Sequence, residues 1–450
     1  MNQRAARIPL LRRSRALAIT PRFWKQRLVF WAGALAIGIV SAAFAWLADE
    51  AQALFGAAFR HEGWLRYAPL LATPAGFALC AWIAFRFVPA SQGSGIPQAI
   101  AARHLRDDTE RAGFLSLRIA AGKIVLTVLG LLCGASIGRE GPTVQVGASI
   151  MLQAARWGGM AQARGLILAG SAAGIAAAFN TPLAGIVFAI EEMSKTYQAR
   201  TNGIVLSAVI IAGIAAIALV GNYTYFGVVA IAAEVKRDWL LVVICGVAGG
   251  ALGAGFSSAM VSLTRRIRRL RAATPLVRVL AIAAGAGLLV ALVGILTGGM
   301  TFGTGYAEAR SAIEGTPLPA TFFLGKLVAT LASSLSGIPG GLFAPSLSVG
   351  AGLGSTIGSL LGSPIGLAAV LGMAAYFSGV VQAPMTAFVI IVEMTGNHEN
   401  VLALMAVSML GYGTARLVSR EPLYHALSRL FIADMLRRRR AREAAERTGA

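Results

Sequence analysis

Residues 134–148 read GASIGREGPTVQVGA, and residues 337–351 read GIPGGLFAPSLSVGA. At an offset of 203, Gly134 meets Gly337, Gly138 meets Gly341, Pro142 meets Pro345, and Gly147-Ala148 meets Gly350-Ala351. The match reaches upstream, where Gly122-Lys123 meets Gly325-Lys326. A second block follows at an offset of 202: Pro182–Glu191 (PLAGIVFAIE) meets Pro384–Glu393 (PMTAFVIIVE). Two blocks in one order at nearly one offset mark an internal duplication, the feature that decides an architecture first.

The duplicated sequence is apolar. Of 450 residues, 56% are hydrophobic and 13% charged, with a mean hydropathy of +0.70. Residues 28–48, 165–190, 201–233, 239–264 and 279–307 carry no Asp, Glu, Lys or Arg, nor does the whole stretch 327–392. About 20 apolar residues span a bilayer as a helix. The sequence therefore predicts an all-α polytopic membrane protein and excludes a soluble enzyme or a disordered chain. Its expected segments are a basic N-terminal stretch (1–27), a first half (28–220), a linker (221–238), a second half (239–425) and a basic tail (426–450).

The net charge of +21 could point to nucleic acid, but its placement points to the membrane. Residues 1–27 hold eight basic residues and no acidic one, residues 265–278 hold six Arg, and Arg437, Arg438, Arg439, Arg440 and Arg442 crowd the tail. Short basic segments beside apolar runs follow the positive-inside rule. Both termini and the 265–278 loop are expected in the cytoplasm, with no nucleic-acid partner. The mate of that loop, near residues 62–75, has Glu62 and Arg66 but no Arg cluster. That difference favours an inverted-topology repeat, in which the site lies near the midplane between broken helices. The first apolar run is long enough to span, so it reads as a helix and not as a cleaved leader. Cys80, Cys133 and Cys245 and the four histidines show no disulfide or metal spacing, so no metal and no cofactor is expected.

Three clusters interrupt the apolar runs: Gly93-Ser94-Gly95-Ile96-Pro97, Gly138-Arg139-Glu140-Gly141-Pro142 and Gly341-Leu342-Phe343-Ala344-Pro345. Each precedes a helix-compatible stretch, with Pro where a first turn tolerates it. Non-helical backbone at membrane depth survives only where protein or a watery cavity satisfies it. Three helix N-termini converging on one point would present free N–H groups and positive dipole ends. Such a point binds an anion without a full positive charge, and so lets it leave again.

These clusters, the block NTPLAGIVFAIEEM (180–193) and EPLYHAL around Tyr424 resemble the signatures of the CLC family of chloride channels and chloride/proton antiporters. The resemblance covers about residues 28–430. It implies the CLC fold, a homodimer with one pore per subunit, and the inner (plasma) membrane as location; the stretch after Tyr424 is expected to be too short for the paired cytoplasmic nucleotide-binding domains seen in many relatives. The implied function is secondary exchange of chloride for protons; the alternative is a passive voltage- or pH-gated chloride channel. The Pro of GREGP and the serine cluster argue against the fluoride-exporting branch. An intramembrane enzyme would need a zinc-ligand motif, a Ser/His pair or an Asp dyad within the spans, and the sequence offers none.

Glu140 is an ionisable group inside an apolar stretch and so a functional candidate in its own right. Deprotonated, it is itself an anion and competes with chloride for the N–H cradle. The resemblance makes it the external gate and proton acceptor; the plainer alternative is a salt bridge to Arg139. Glu192 is implied as the internal proton-transfer residue, while Glu191 repeats as Glu393 and reads as structural. The resemblance also makes Ser94 and Tyr424 the side-chain ligands of chloride, joined by the backbone N–H groups of Leu342 and Phe343. Without it, Tyr424 would read as an interfacial tyrosine. Lys123 and Lys326 either add a positive potential or snorkel to the interface.

Overall fold

The computed structural model describes residues 21–59, 63–194, 199–221, 224–227, 238–271 and 275–448. The N-terminal basic stretch up to residue 20 and most of the expected linker (222–223 and 228–237) lie outside the described residues.

Among the described residues every regular element is a helix. The first half runs through α1 (Pro21–Phe59), α2 (Pro69–Phe87), α3 (Ile96–His104), α4 (Asp108–Ala112), α5 (Leu117–Leu132), α6 (Glu140–Gly158), α7 (Ala163–Phe179), α8 (Pro182–Phe188), a π-helical turn (Ala189–Ser194) and α9 (Ala199–Val220). The second runs through α10 (Trp239–Arg271), α11 (Pro275–Leu296), α12 (Tyr306–Ile313), α13 (Thr321–Leu335), α14 (Phe343–Leu361), α15 (Ile365–Val381), α16 (Pro384–Thr395), α17 (Val401–Val418) and α18 (Leu423–Thr448). Seven of the described helices are long and apolar enough to cross a bilayer, and shorter apolar ones such as α7 and α15 pack among them. This is a multi-pass membrane protein. α18 runs unbroken through residue 425, so Tyr424 and the basic tail share one rod.

The halves repeat down to their stops. α6 and α14 end on Gly159 (φ 63°) and Gly362 (φ 62°), both left-handed. α7 and α15 end on Asn180 (φ 57°) and Gln382 (φ 59°), a conformation that side chains other than glycine rarely adopt. Reciprocal contacts then fix how the halves are related. The Gly138 N–H donates to the Gly341 carbonyl at 2.8 Å, and the Gly341 N–H donates back at 2.7 Å, as an antiparallel bridge. A residue bridged antiparallel to its own repeat mate has a local two-fold axis between the two, the relation an inverted-topology repeat requires.

Glycine lets the inner helices touch at backbone distance, the small-residue packing of membrane helices. A Cβ on Gly147 of α6 would lie 2.3 Å from the Gly170 carbonyl of α7. Their mates on α14 and α15 repeat the contact, with 2.3 Å from a Cβ on Gly372 to the Gly350 carbonyl. α7 and α15 are buried almost all round, at the middle of one large apolar core that draws on both halves.

Candidate functional site

The structure brings all three glycine clusters together. The Gly138–Gly341 bridge joins the second to the third, and a parallel bridge joins the first to the third: the Gly93 N–H donates to the Ile338 carbonyl at 3.1 Å, and Gly340 N–H to the Gly93 carbonyl at 3.1 Å. Gly141 lies against Ser94, where a Cβ would stand 2.4 Å from the serine Oγ. α3 begins behind Gly95, α6 behind Arg139 and α14 behind Leu342, and none of these N-caps forms a side-chain cap. Gly95, at φ 101°, makes the sharp turn into Ile96-Pro97, and a Cβ there would reach 2.9 Å from the Gly141 carbonyl. Three uncapped helix starts thus meet in buried, low-dielectric surroundings, where their N–H groups favour an anion.

Glu140 stands where α6 starts. It is fully buried, and neither carboxylate oxygen makes a hydrogen bond of standard geometry, although the N–H groups of Glu140 itself and of Ala344 point toward it. It therefore occupies the junction of α6 and α14, with Pro142 and Pro345 in the first turns behind it. The salt-bridge alternative does not hold: Arg139 turns away, its Nη1 2.7 Å from Asp49 Oδ2 and also donating to the Ala45 carbonyl. The guanidinium ties the cluster to α1, and its direct ion pair is with Asp49 and not with the glutamate.

Ser94 and Tyr424 converge from opposite ends of the sequence. Both hydroxyls are buried and neither makes a hydrogen bond of standard geometry, although the two face each other, with the Glu140 and Glu192 carboxyls close enough to act on the phenol. A buried polar atom without a partner is costly, so two of them facing one spot mark a place shaped for a polar guest. Tyr424 is 0% exposed, which removes the interfacial-belt reading. Its ring stacks on Phe343, with centroids 6.1 Å apart and planes at 15°. Phe343 also packs on Phe188 and Phe377, so its side chain belongs to the apolar core.

Glu191 and Glu192 share the π-turn but part company. Glu191 accepts from the Met385 and Thr386 N–H groups at the start of α16, at 3.1 and 2.6 Å. Glu192 is buried, 1% exposed at its side chain, beside His425. π-turns widen a helix and gather at functional positions; the equivalent α16 runs on to Thr395 without one.

Neither lysine snorkels. Both are 0% exposed. Lys123 Nζ donates to the carbonyls of Ser91 and Gly93, both at 2.6 Å. Lys326 Nζ donates to those of Gly303 (2.7 Å) and Thr301 (3.1 Å). Each holds a loop of one design: Gly93-Ser94-Gly95 before α3, and Gly303-Thr304-Gly305 before α12, with positive φ at all four glycines. Thr304 is a feature the sequence reading missed, because this loop repeats at an offset of 210. Its hydroxyl and N–H both donate to Gln52 of α1, so Thr304 itself keeps no donor for an anion. His425 has no metal-ligand spacing in the sequence, and the fold brings it to Glu192. Among the described residues no cluster of His, Cys, Asp and Glu could hold a metal ion.

The sequence profile of the voltage gated chloride channel family matches residues 76–416. The H(+)/Cl(-) exchange transporter ClcA of Yersinia pestis is 30% identical over 416 residues, covering 83% of this chain and 84% of the relative. The transporter of the same name from Salmonella paratyphi A is 29% identical over 408 residues, covering 84% and 82%. Among solved structures, a slow cyanobacterial Cl-/H+ antiporter superposes with a TM-score of 0.78 at 25% identity, over 92% of this chain and 99% of that one. A CLC-type fluoride/proton antiporter superposes at 0.76 with 24% identity, over 91% and 99%, and shares the fold.

Proposed function

The chain belongs to the voltage gated chloride channel family, and from that premise we propose that it exchanges chloride for protons across the membrane. One observation carries the reading furthest: Glu140, a fully buried carboxylate, sits at the joined N-termini of α6 and α14, in the place built for an anion. The relatives named as chloride/proton exchangers support it.

Chloride would be held by the hydroxyls of Ser94 and Tyr424 and by the N–H groups of Leu342 and Phe343. Glu140 competes for the same donors when ionised and yields when protonated, so one residue acts as external gate and proton acceptor. A buried carboxyl resists ionisation while helix N–H groups favour it, and the balance lets it change state during a cycle. Glu192 carries protons to and from the opposite side. Partial charges bind the anion weakly enough to release it. The remaining features of this reading are a homodimer with one pore per subunit, a bacterial inner membrane, and both termini in the cytoplasm, the side on which the basic segments belong.

Purified protein in liposomes, with chloride efflux and proton uptake recorded together, tests the proposal. Uphill proton movement driven by a chloride gradient supports exchange. Chloride efflux with no proton uptake would leave a passive channel.

A further inference from the structure

His425 follows Tyr424 on α18, and its ring reaches the π-turn of the first half. His425 Nε2 lies 2.8 Å from the Glu192 carbonyl oxygen and 3.8 Å from Glu192 Oε1. A carbonyl only accepts, so Nε2 carries the hydrogen in this arrangement. The imidazole side chain is 17% exposed against 1% for Glu192. The other groups at this turn are unsuited to moving protons. Arg103 of α3 donates to the Met193 carbonyl and, at 2.9 Å, to Ser194 Oγ; a guanidinium keeps its protons. The Glu191 carboxylate is committed to the first turn of α16.

We propose that His425 is a relay residue that passes protons between the aqueous phase and the Glu192 carboxyl. The proposal rests on the reading of Glu192 as the inner proton-transfer group. Imidazole is the side chain that takes up and returns protons in the neutral range, and its two nitrogens give it two ends. A proton from water binds Nδ1, forming imidazolium. The Nε2 proton passes to the Glu192 carboxylate once that side chain turns to close the gap. The ring is left neutral with its hydrogen on Nδ1, and exchange with water restores the Nε2–H form. One proton leaves the water and one arrives at Glu192, with no other bond changed.

The test uses the full-length protein in liposomes, with the ratio of proton to chloride flux as the readout. The neutral variant His425→Gln can keep a hydrogen bond to the Glu192 carbonyl but cannot relay. Its ratio should fall roughly tenfold, given that a positioned proton-transfer group is worth at least that much. His425→Ala should show the same fall, and free imidazole in the buffer should restore proton flux. An unchanged ratio in His425→Gln overturns the relay. So does an equal loss of both fluxes in both variants with no imidazole rescue, which would make His425 purely structural. Glu192→Gln serves as the control: if it keeps proton transport, the Glu192 reading itself fails, independently of His425.

Discussion

Glu191 and Glu393 cap each other's helices across the two-fold axis. The Glu191 carboxylate accepts from Met385 and Thr386 at the start of α16, and the Glu393 carboxylate accepts from Leu183 and Ala184 at the start of α8, at 3.0 and 2.6 Å. Both helices begin with Pro, at Pro182 and Pro384, and have no cap of their own. A negative group is well placed at such an end.

Glu191→Ala should therefore destabilise the protein by about 1–2 kcal/mol, the usual worth of a helix cap, and Glu393→Ala by a similar amount. Thermal unfolding in detergent reads this directly. The proton-to-chloride ratio of Glu191→Ala should stay at the parent value, since its carboxylate is bound to α16. An altered ratio with an unshifted midpoint would reverse the roles of Glu191 and Glu192.

Glu140→Ala should leave chloride moving freely and remove coupled proton movement. The alanine vacates the junction of α6 and α14 and takes the proton acceptor with it. Proton pumping that survives in this variant would refute Glu140 as the acceptor.

Glu192→Gln keeps the shape of the buried side chain and removes its proton chemistry. Proton transport should disappear while chloride flux persists. The paired-flux liposome assay reports both at once, and intact proton transport would transfer the role to another group.

Ser94→Pro deletes a hydroxyl at the contact with Gly141 and stiffens the turn between Gly93 and Gly95. Preference for chloride over nitrate should weaken. Relative permeation of the two ions that stays constant would count against Ser94 as a chloride ligand.

Tyr424→Phe keeps the stack on Phe343 and removes only the phenol O–H. A hydrogen bond to a charged group is worth about 1.5–3 kcal/mol, so chloride affinity should drop by roughly one to two orders of magnitude. Calorimetric titration measures it; an unaltered dissociation constant would reduce Tyr424 to a packing residue.

Much of this was legible in the sequence because glycine and proline punctuate the membrane interior wherever the backbone leaves a helix. Gly93, Gly138 and Gly341 announced the three helix starts, and the offset of 203 announced the duplication. What escaped depended on approach between distant segments. Nothing in a one-dimensional reading shows that Lys123 folds back on the carbonyls of Ser91 and Gly93, or that Arg139 turns to Asp49. The 303–305 loop slipped out of register because the second half is shorter here: 30 positions separate Gly93 from Lys123, but 23 separate Gly303 from Lys326, and α4 has no mate. His425 stands inside EPLYHAL, but only the packing of α18 along the π-turn brings its ring to Glu192.

The bridge between Gly138 and Gly341 lies on the axis that exchanges the halves, so on its own it cannot tell one face of the membrane from the other. Vectorial transport needs that parity broken, and the sequence shows where. Lys123 keeps a lysine for a mate and Glu191 a glutamate, but the mate of Glu140 is Phe343 and the mate of Glu192 is Met394. The two carboxylates proposed to handle protons are thus the ones without a counterpart. The duplicated scaffold is indifferent to direction, and in the exchange proposed above the unmatched acids would give the cycle its sense of inside and outside.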